Sequence, residues 1–473
     1  MPRRSSPPHR VPTSRHRNRS PPAGPACRDP GARTPVPPGD STRTRDPRVP
    51  GPLIRNARMT TGCPNGERIP TVRRVLSSTD PSMPTPKPPR PRPIPVRSLK
   101  TASEGTHPIT LRNRQVTWVA QALAPDLIRL RVARGRELPE APSWAVVPKS
   151  WPEPAAQVIR QRSNIGVETD AGRWTISPAT GAWDVTDRHG IRIFSAPPDG
   201  LTLTGSEIAL SLDLVDGESV FGLGESTGAF NRRGRIRDFW NIDVLGHAPA
   251  IHPGLQQLYV SIPFAVSLRD GRAAGLFWDT PARQHWDLGQ TQRDRWTLKA
   301  ASGELDLYLF LGPGIDSVLA RYTELTGSIP LPPRWGLGYH QSRYSYESRA
   351  RVEQIARELR SRELPCDALY LDIHHLDGHR VFTFGKAFPQ PAAMVRRLAR
   401  QGFKTVAIVD PGVKDDPAYE VRQRGIAAKA FVRDPSGKKD FIGEVWPGKA
   451  RFPDFLNART REWWGQEQSV LLK

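Results

Sequence analysis

The chain has 473 residues, with 69 Lys and Arg against 47 Asp and Glu, for a formal net charge of +22. Residues 1–100 carry +16 of this charge, which leaves +6 for the other 373 residues. Such a balance is ordinary for a soluble enzyme and argues against a nucleic-acid-binding domain in the rest of the chain.

Residues 1–104 form a Pro- and Arg-rich segment. The first 100 residues hold 24 of the 50 prolines and no Trp, Tyr or Phe, so they cannot bury enough apolar surface to offset the entropy of ordering. We expect the segment to be disordered. It could also be a basic tail that contacts nucleic acid or anionic lipid, a semi-rigid spacer, or sequence upstream of a start at Met59 or Met83. The lack of aromatic residues between the arginines disfavours nucleic acid.

Neither a membrane span nor a secretory signal is evident. No run of 18 apolar residues occurs, and the N-terminus has no apolar signal region, so we expect a cytoplasmic protein without a membrane partner. Cys27, Cys63 and Cys366 have spacings that fit neither a disulfide framework nor a zinc site.

Residues 105–312 consist of short runs in which apolar and polar residues alternate. Ile128, Leu130 and Val132 are separated by arginines, and residues 207–214 alternate in the same way. A period of two indicates strands with one buried face. Asp270-Gly271 between two apolar runs indicates a hairpin. Many short strands with few helical stretches predict a β-sandwich.

Residues 313–332 are predicted to be a linker helix followed by a proline hinge. In GIDSVLARYTELTG, Val318, Leu319, Tyr322 and Leu325 fall on one helical face, and Gly327 is placed to end the helix.

Residues 333–473 alternate between strand-like and helix-like patterns. RWGLGYH, CDALYLDI and KTVAIVDP are predicted strands, and helical spacings lie between them. Repeated βα units predict a parallel sheet, either open or closed into a barrel. Asp372 and Asp410 stand at the carboxyl ends of two of these strands, where ligands bind in such folds.

Several long motifs occur in an order that resembles glycoside hydrolase family 31, the α-glucosidase and α-xylosidase family. They are FGLGESTGAFNRRGRIRDFWNID, PPRWGLGYHQSRYSY, LPCDALYLDIHHLDGHRVFTF, KTVAIVDPGV and GEVWPGKARFPDF. The resemblance covers roughly residues 105–468. It implies a galactose-mutarotase-like β-sandwich followed by a (β/α)8 barrel, and hydrolysis of α-linked glucosides or xylosides with retention. It implies no cofactor.

Retaining hydrolysis needs two carboxyl groups about 5 Å apart. The resemblance places the nucleophile in a motif like W-x-D-M-N-E, which this sequence lacks. We therefore expect no catalytic residue in the chain, with the nucleophile and the acid/base beyond Lys473. Residues 333–473 would then be the first part of an incomplete barrel that is inactive alone. Two alternatives are a split enzyme completed by a second polypeptide and a noncatalytic carbohydrate-binding protein.

An incomplete barrel would leave some of its segments without partners. The third predicted strand would present an unpaired edge. Much of the helix NARTREWWGQEQSVLL would have little to pack against.

The resemblance also implies a pocket that binds an α-linked oligosaccharide or glycoside. Aspartates there contact sugar hydroxyls, aromatic residues line the pocket and isoleucines form its wall. The matching residues are Asp243 and Asp372, Tyr344 and Trp446, and Ile373 and Ile408. From the residues alone, Asp372 could instead cap a helix, and the two aromatic residues could belong to the core.

The histidines that follow Asp372 depart from the family pattern. The family usually has D-I-D-Y-M where this chain has Asp372-Ile373-His374-His375-Leu376. With Asp377 and His379 nearby a metal site is conceivable. However, adjacent side chains on extended backbone point to opposite sides, and no zinc-ligand spacing is present. We therefore expect a solvated loop at the pocket mouth, without a metal.

Overall fold

The structure, a computed structural model, describes residues 92–102, 107–140, 143–152, 154–242 and 257–471. Most of the segment predicted to be disordered lies outside the described residues, as does Asp243. Among the described helices, none combines the length and the apolar character that a membrane crossing would need.

The first part of the described chain is built from antiparallel strands. They are β1 Ile94–Pro95, β2 Lys100–Thr101, β3 Ile109–Arg112, β4 Val116–Ala124, β5 Leu127–Arg134, β6 Gln157–Gln161, β7 Asn164–Thr169, β8 Gly172–Ile176, β9 Trp183–Asp187, β10 Arg192–Ala196, β11 Leu201–Thr204, β12 Glu207–Asp213, β13 Ser219–Ser226, β14 Ile236–Phe239, β15 Gln257–Arg269, β16 Arg272–Trp278, β17 Gln284–Leu288, β18 Arg295–Ala300 and β19 Leu305–Leu311.

These strands form three sheets around a shared apolar core. The sheet orders are β1-β11-β12-β18-β17-β14, β10-β9-β8-β7-β6 and β13-β15-β16-β19-β5-β4-β3-β2. Tryptophans fill the space between the sheets: the Trp118 and Trp174 ring centroids are 6.2 Å apart, and Phe194 meets Trp296 edge-on at 6.3 Å. The prediction of a β-sandwich is confirmed.

Alternation along the strands orients their side chains as predicted. On β12, Ile208, Leu210 and Leu212 are buried. On β5, the intervening Arg129 forms two hydrogen bonds to Asp306 of β19, Nε to Oδ1 at 2.8 Å and Nη2 to Oδ2 at 2.6 Å. This pairing limits the cost of removing the two charges from water.

The predicted hairpin at Asp270-Gly271 joins β15 to β16. Arg269 and Arg272 are paired residues at its end. Asp270 has φ of 51° and Gly271 has φ of 74°, the left-handed conformation that two-residue hairpin loops require at both positions.

Helix α1 (Ile315–Thr326) follows the sandwich and ends at Gly327, as predicted. Val318 and Leu325 are buried, and Tyr322 stacks on Phe264 with ring centroids 3.9 Å apart. Leu319 is 45% exposed, so its predicted place on the buried face is wrong. It lies about 100° around the helix from Val318, beyond the stripe that contacts the sheet.

The second part of the chain alternates strands and helices. Its elements are β20 His340–Gln341, α2 Arg349–Ser361, β21 Ala368–Leu371, α3 Pro391–Arg400, β22 Lys404–Ala407, β23 Val413–Lys414, α4 Glu420–Ala427, β24 Ile442–Val445, β25 Gly448–Arg451 and α5 Ala458–Gln468. Strands β20, β21 and β22 pair in parallel in that order. Beneath them, Leu369 of β21 shares a core with Val352, Ala356, Met394 and Leu398 of the two helices.

The strand predicted over residues 334–340 is largely wrong. Residues Arg334–Leu337 form a 3-10 helix, and only His340 enters the strand. Pro332 and Pro333, which precede the helix, lack the backbone N–H that a sheet ladder needs.

The expectation that much of the last helix would have little to pack against holds for most of its length, because only Thr460 and Trp463 of α5 are buried. Its two tryptophans nevertheless find partners. In α5, Trp463 is 8% exposed and meets Phe431 edge-on at 5.8 Å. Trp464 packs against Phe382 at 4.8 Å and Phe455 at 5.5 Å. Because these partners lie in irregular segments and not in barrel strands, the βα pattern did not indicate them.

Candidate functional site

Asp372 follows β21 directly, at the carboxyl end of a parallel strand. Its side-chain Oδ1 accepts a hydrogen bond from the Ile373 backbone N–H at 2.7 Å and caps the 3-10 helix Ile373–His375. The prediction that Asp372 could cap a helix is therefore correct for its Oδ1 atom. The side chain is only half-buried, so capping also fixes the orientation of a carboxylate that remains accessible.

Asp410 stands three residues after β22, beside Asp372. The two strand ends are joined by a hydrogen bond from the Ile408 N–H to the Leu371 carbonyl at 2.9 Å. Burial raises the pKa of Asp410, and the negative charge of Asp372 raises it further. The two carboxyl groups thus interact. Asp410 was recognised as a strand-end residue but was not included in the predicted pocket.

Tyr344 and Trp446 come from separate loops and meet with ring centroids 6.3 Å apart. Tyr344 follows β20, and Trp446 lies in the turn between β24 and β25. They are 65% and 54% exposed, so the alternative that they are core aromatics is wrong. Both side chains are therefore accessible to solvent.

The side chains of His374 and His375 point apart, as predicted, but they do so on the 3-10 helix Ile373–His375 and not on the extended backbone that the prediction assumed. His374 is exposed and meets Tyr344 edge-on at 5.0 Å. His375 is 1% exposed, its Nδ1 bonds the Asp372 carbonyl at 2.8 Å, and its ring lies 5.1 Å from that of Phe384. Burial lowers the pKa of His375, so this histidine belongs to the fold and not to the pocket.

His379 extends the row of rings, with its centroid 5.6 Å from that of His374. Its loop is held by Lys414, whose Nζ donates to the Gly378 carbonyl at 2.8 Å, and by an ion pair between Arg380 and Asp416. Burial lowers the pKa of His379; the neighbouring His374 and Lys414 lower it further, and Asp410 opposes them. Histidine pairs can bind metals, but in the described part of the chain no three metal-ligand side chains group together.

The structure thus links the row Trp446, Tyr344, His374 and His379 to the carboxylates at the strand ends. Of the predicted wall residues, Ile373 is 5% exposed and has little surface to offer, whereas Ile408 is half-buried. The strand-end position of Asp410 follows from the sequence pattern, but the position of His379 beside it does not, because it depends on how one loop folds against a neighbouring strand.

This arrangement suits a neutral polyhydroxylated ligand. Carboxylates accept hydrogen bonds from hydroxyl groups, and these charge-assisted bonds are roughly twice as strong as neutral ones. Exposed aromatic faces supply apolar contact to the carbon skeleton.

Two family models match the chain. The glycosyl hydrolase 31 N-terminal galactose mutarotase-like domain matches residues 117–287, and the glycosyl hydrolases family 31 TIM-barrel domain matches residues 329–473.

Known proteins are similar over the same regions. Alpha-glucosidase 2 of Bacillus thermoamyloliquefaciens is 41% identical over 285 residues, which cover 60% of this chain and 36% of that protein. Neutral alpha-glucosidase AB of Homo sapiens is 33% identical over 311 residues, 60% of this chain and 32% of that protein.

A solved structure has the same architecture. It is the family 31 dextranase of Flavobacterium johnsoniae complexed with isomaltotriose, with a TM-score of 0.71 and 25% sequence identity over 80% of this chain and 46% of that one. The chain thus spans less than half the length of each of these relatives. With its sandwich and its parallel βα region each matched by a domain of one family, and in the same order, the chain belongs to glycoside hydrolase family 31.

Proposed function

We propose that this chain provides the sugar-binding side of an α-glucosidase-type hydrolase, which cleaves α-linked glucosides or xylosides with retention of configuration. The observation that carries the proposal is the position of Asp372 and Asp410 at adjacent strand ends, linked through histidines to the exposed rings of Tyr344 and Trp446.

In this proposal Asp372 accepts hydrogen bonds from the hydroxyls of the terminal sugar. Its Oδ1 is already oriented by the Ile373 N–H, so little side-chain entropy remains to be lost on binding. Tyr344 and Trp446 cover the apolar face of the sugar. His374 lies beside the pocket where the family usually has an acid, so an imidazole replaces a carboxylate acceptor there.

The bond-cleaving groups are proposed to come from elsewhere. Retention requires a nucleophile and an acid/base facing each other about 5 Å apart, and the 473 residues contain no W-x-D-M-N-E-like motif. Asp372 and Asp410 then hold the substrate, and the catalytic pair belongs to sequence beyond Lys473 or to a complementing polypeptide. The chain alone binds the sugar without cleaving it.

Calorimetric titration of the 473-residue chain with maltose tests the binding step. Asp372→Asn keeps an oxygen that can cap the 3-10 helix but removes the charge, so we expect affinity to fall about tenfold with little change in stability. Glu420→Gln, which removes an 81% exposed carboxylate of α4, is the matched control. Equal affinity of Asp372→Asn and the unchanged chain would contradict the assignment of Asp372.

An assay with an aryl α-glucoside tests the catalytic step. We expect no turnover from the purified chain, and turnover when sequence that supplies the missing carboxyl pair is present. Co-purification before the assay distinguishes a complementing polypeptide from a longer chain. Hydrolysis by the 473 residues unaided would show that the catalytic pair lies within them.

A further inference from the structure

A cavity of about 460 Å³ lies at one end of the β-sandwich, away from the strand-end pocket. Its walls come from the turns β4–β5, β7–β8, β9–β10 and β15–β16 and from the end of β19. The volume falls within the range of about 300–1,000 Å³ found for small-molecule sites. None of its lining residues belongs to the pocket around Asp372.

The hairpin β15–β16 fixes the mouth of this cavity by bridging two sheets. Arg269 Nη2 donates to the Arg192 carbonyl at 3.0 Å, and Arg272 Nη1 donates to Asp187 Oδ2 at 2.7 Å. Asp187 is held in turn by the backbone N–H groups of His189 and Ile191, at 2.8 and 2.9 Å. The polar groups around the mouth therefore have defined positions before any ligand binds.

The cavity also has a buried acid. Glu218 is 5% exposed, and its carboxylate accepts from the Ser267 hydroxyl at 2.7 Å and from the Val215 N–H at 3.0 Å. A carboxylate offers about four acceptor positions, so these two bonds leave acceptor capacity for a ligand. Burial raises the pKa of Glu218, as expected for an acid with little water around it.

The charges around the cavity balance. Four arginines, Arg188, Arg192, Arg269 and Arg272, are matched by four carboxylates, which include Asp187 and Glu218. The net charge of the lining residues therefore favours neither an anionic nor a cationic ligand. Side chains such as Ile191, Ile193 and Leu311 add apolar surface between the polar groups.

A sugar matches this combination, because each hydroxyl both donates and accepts a hydrogen bond and the ring carbons present apolar faces. We propose that the cavity is a second saccharide-binding site, which takes a neutral sugar independently of the strand-end pocket. The site goes beyond the proposed hydrolytic function and does not depend on it.

Maltose titration in the Asp372→Asn background tests the site, because that background weakens the strand-end pocket. We expect residual maltose binding that Ala171→Trp reduces at least tenfold, since Ala171 lines the cavity from a half-buried position in the β7–β8 turn, where an indole ring would occupy cavity volume. Ala301→Trp, on an exposed turn elsewhere on the sandwich, should leave it unchanged. Glu218→Gln preserves the shape and should weaken binding severalfold.

The two sites can fail separately in these titrations. Ala171→Trp alone should retain binding that depends on Asp372, so a failure of the strand-end site leaves the test of the cavity intact. Residual maltose binding that is absent, or unchanged by both Ala171→Trp and Glu218→Gln, would overturn the proposal. Binding of inorganic phosphate in place of maltose would identify an anion site instead. Circular dichroism and thermal unfolding show whether each variant is folded. If Ala171→Trp does not fold, the maltose affinity of Glu218→Gln decides the outcome.

Discussion

Two tryptophans show how the β-sandwich and the strand-end region differ. Trp118 is fully buried and packs on Trp174, whereas Trp446 is 54% exposed beside Tyr344. Charged residues divide in the same way: Asp306 is 5% exposed and paired with Arg129, but Asp372 is half-buried at a strand end. The same residue types thus stabilise the fold in one region and remain available for binding in the other.

The largest expected effect is on the sandwich core. Trp118→Ala removes a fully buried ring and should lower the free energy of unfolding by about 3–5 kcal/mol. Trp144→Ala, at a 79% exposed position, should change it by less than about 0.5 kcal/mol. Urea unfolding measures the free energy of unfolding of both variants. Equal losses would show that the difference in burial between Trp118 and Trp144 does not determine their contribution to stability.

Breaking the buried ion pair should have the next largest effect. Asp306→Ala leaves the Arg129 guanidinium without its two carboxylate bonds, and we expect a loss of about 3 kcal/mol in the free energy of unfolding. Asp216→Ala removes an exposed partner of Arg233 and should cost no more than about 1 kcal/mol. A similar loss in the two variants would contradict the structural role given to Asp306.

In the strand-end region, a substitution should change ligand affinity more than it changes the free energy of unfolding. Trp446→Ala should reduce maltose affinity about fivefold, equivalent to about 1 kcal/mol of aromatic contact. Because the ring is more than half exposed, the unfolding midpoint in urea should stay close to that of the unchanged chain. A large drop in stability with unaltered affinity would place Trp446 with the core residues.

The smallest expected effect is a pH dependence from His375. Burial lowers its pKa below the usual 6.5, so the unfolded chain binds this proton at a higher pH than the folded chain does. The stability that comes from keeping His375 neutral is fully present above pH 6.5 and is lost as the pH falls toward the folded pKa. His375→Asn should flatten the acid side of the curve of unfolding free energy against pH, relative to the control His374→Asn. Parallel curves would show that His375 titrates as if it were exposed.

The sequence predicts the sandwich better than the site. Alternation on β12 follows from burial of one sheet face, and Asp270-Gly271 specifies its turn locally. The motif comparison identifies Asp372, Tyr344 and Trp446 as pocket residues, which stays a prediction until binding is measured.

The features that the sequence does not predict are those that depend on contacts between distant segments of the chain. Leu319 has the spacing of a buried residue but lies outside the contact with the sheet. The packing of Trp464 on Phe382 and Phe455 joins irregular segments that have no periodicity. The proximity of Asp410 to His379 requires the loop clamped by Lys414.

The cap formed by Asp372 has a consequence for attempts to change sugar preference. Because the Asp372 carboxyl group starts the 3-10 helix and, in the proposed function, also binds the sugar, a replacement at this position must keep a short side chain with an acceptor oxygen. Redesign for a different glycone has more freedom at His374 and Tyr344, whose exposed rings support no hydrogen-bonded turn of their own in the described structure.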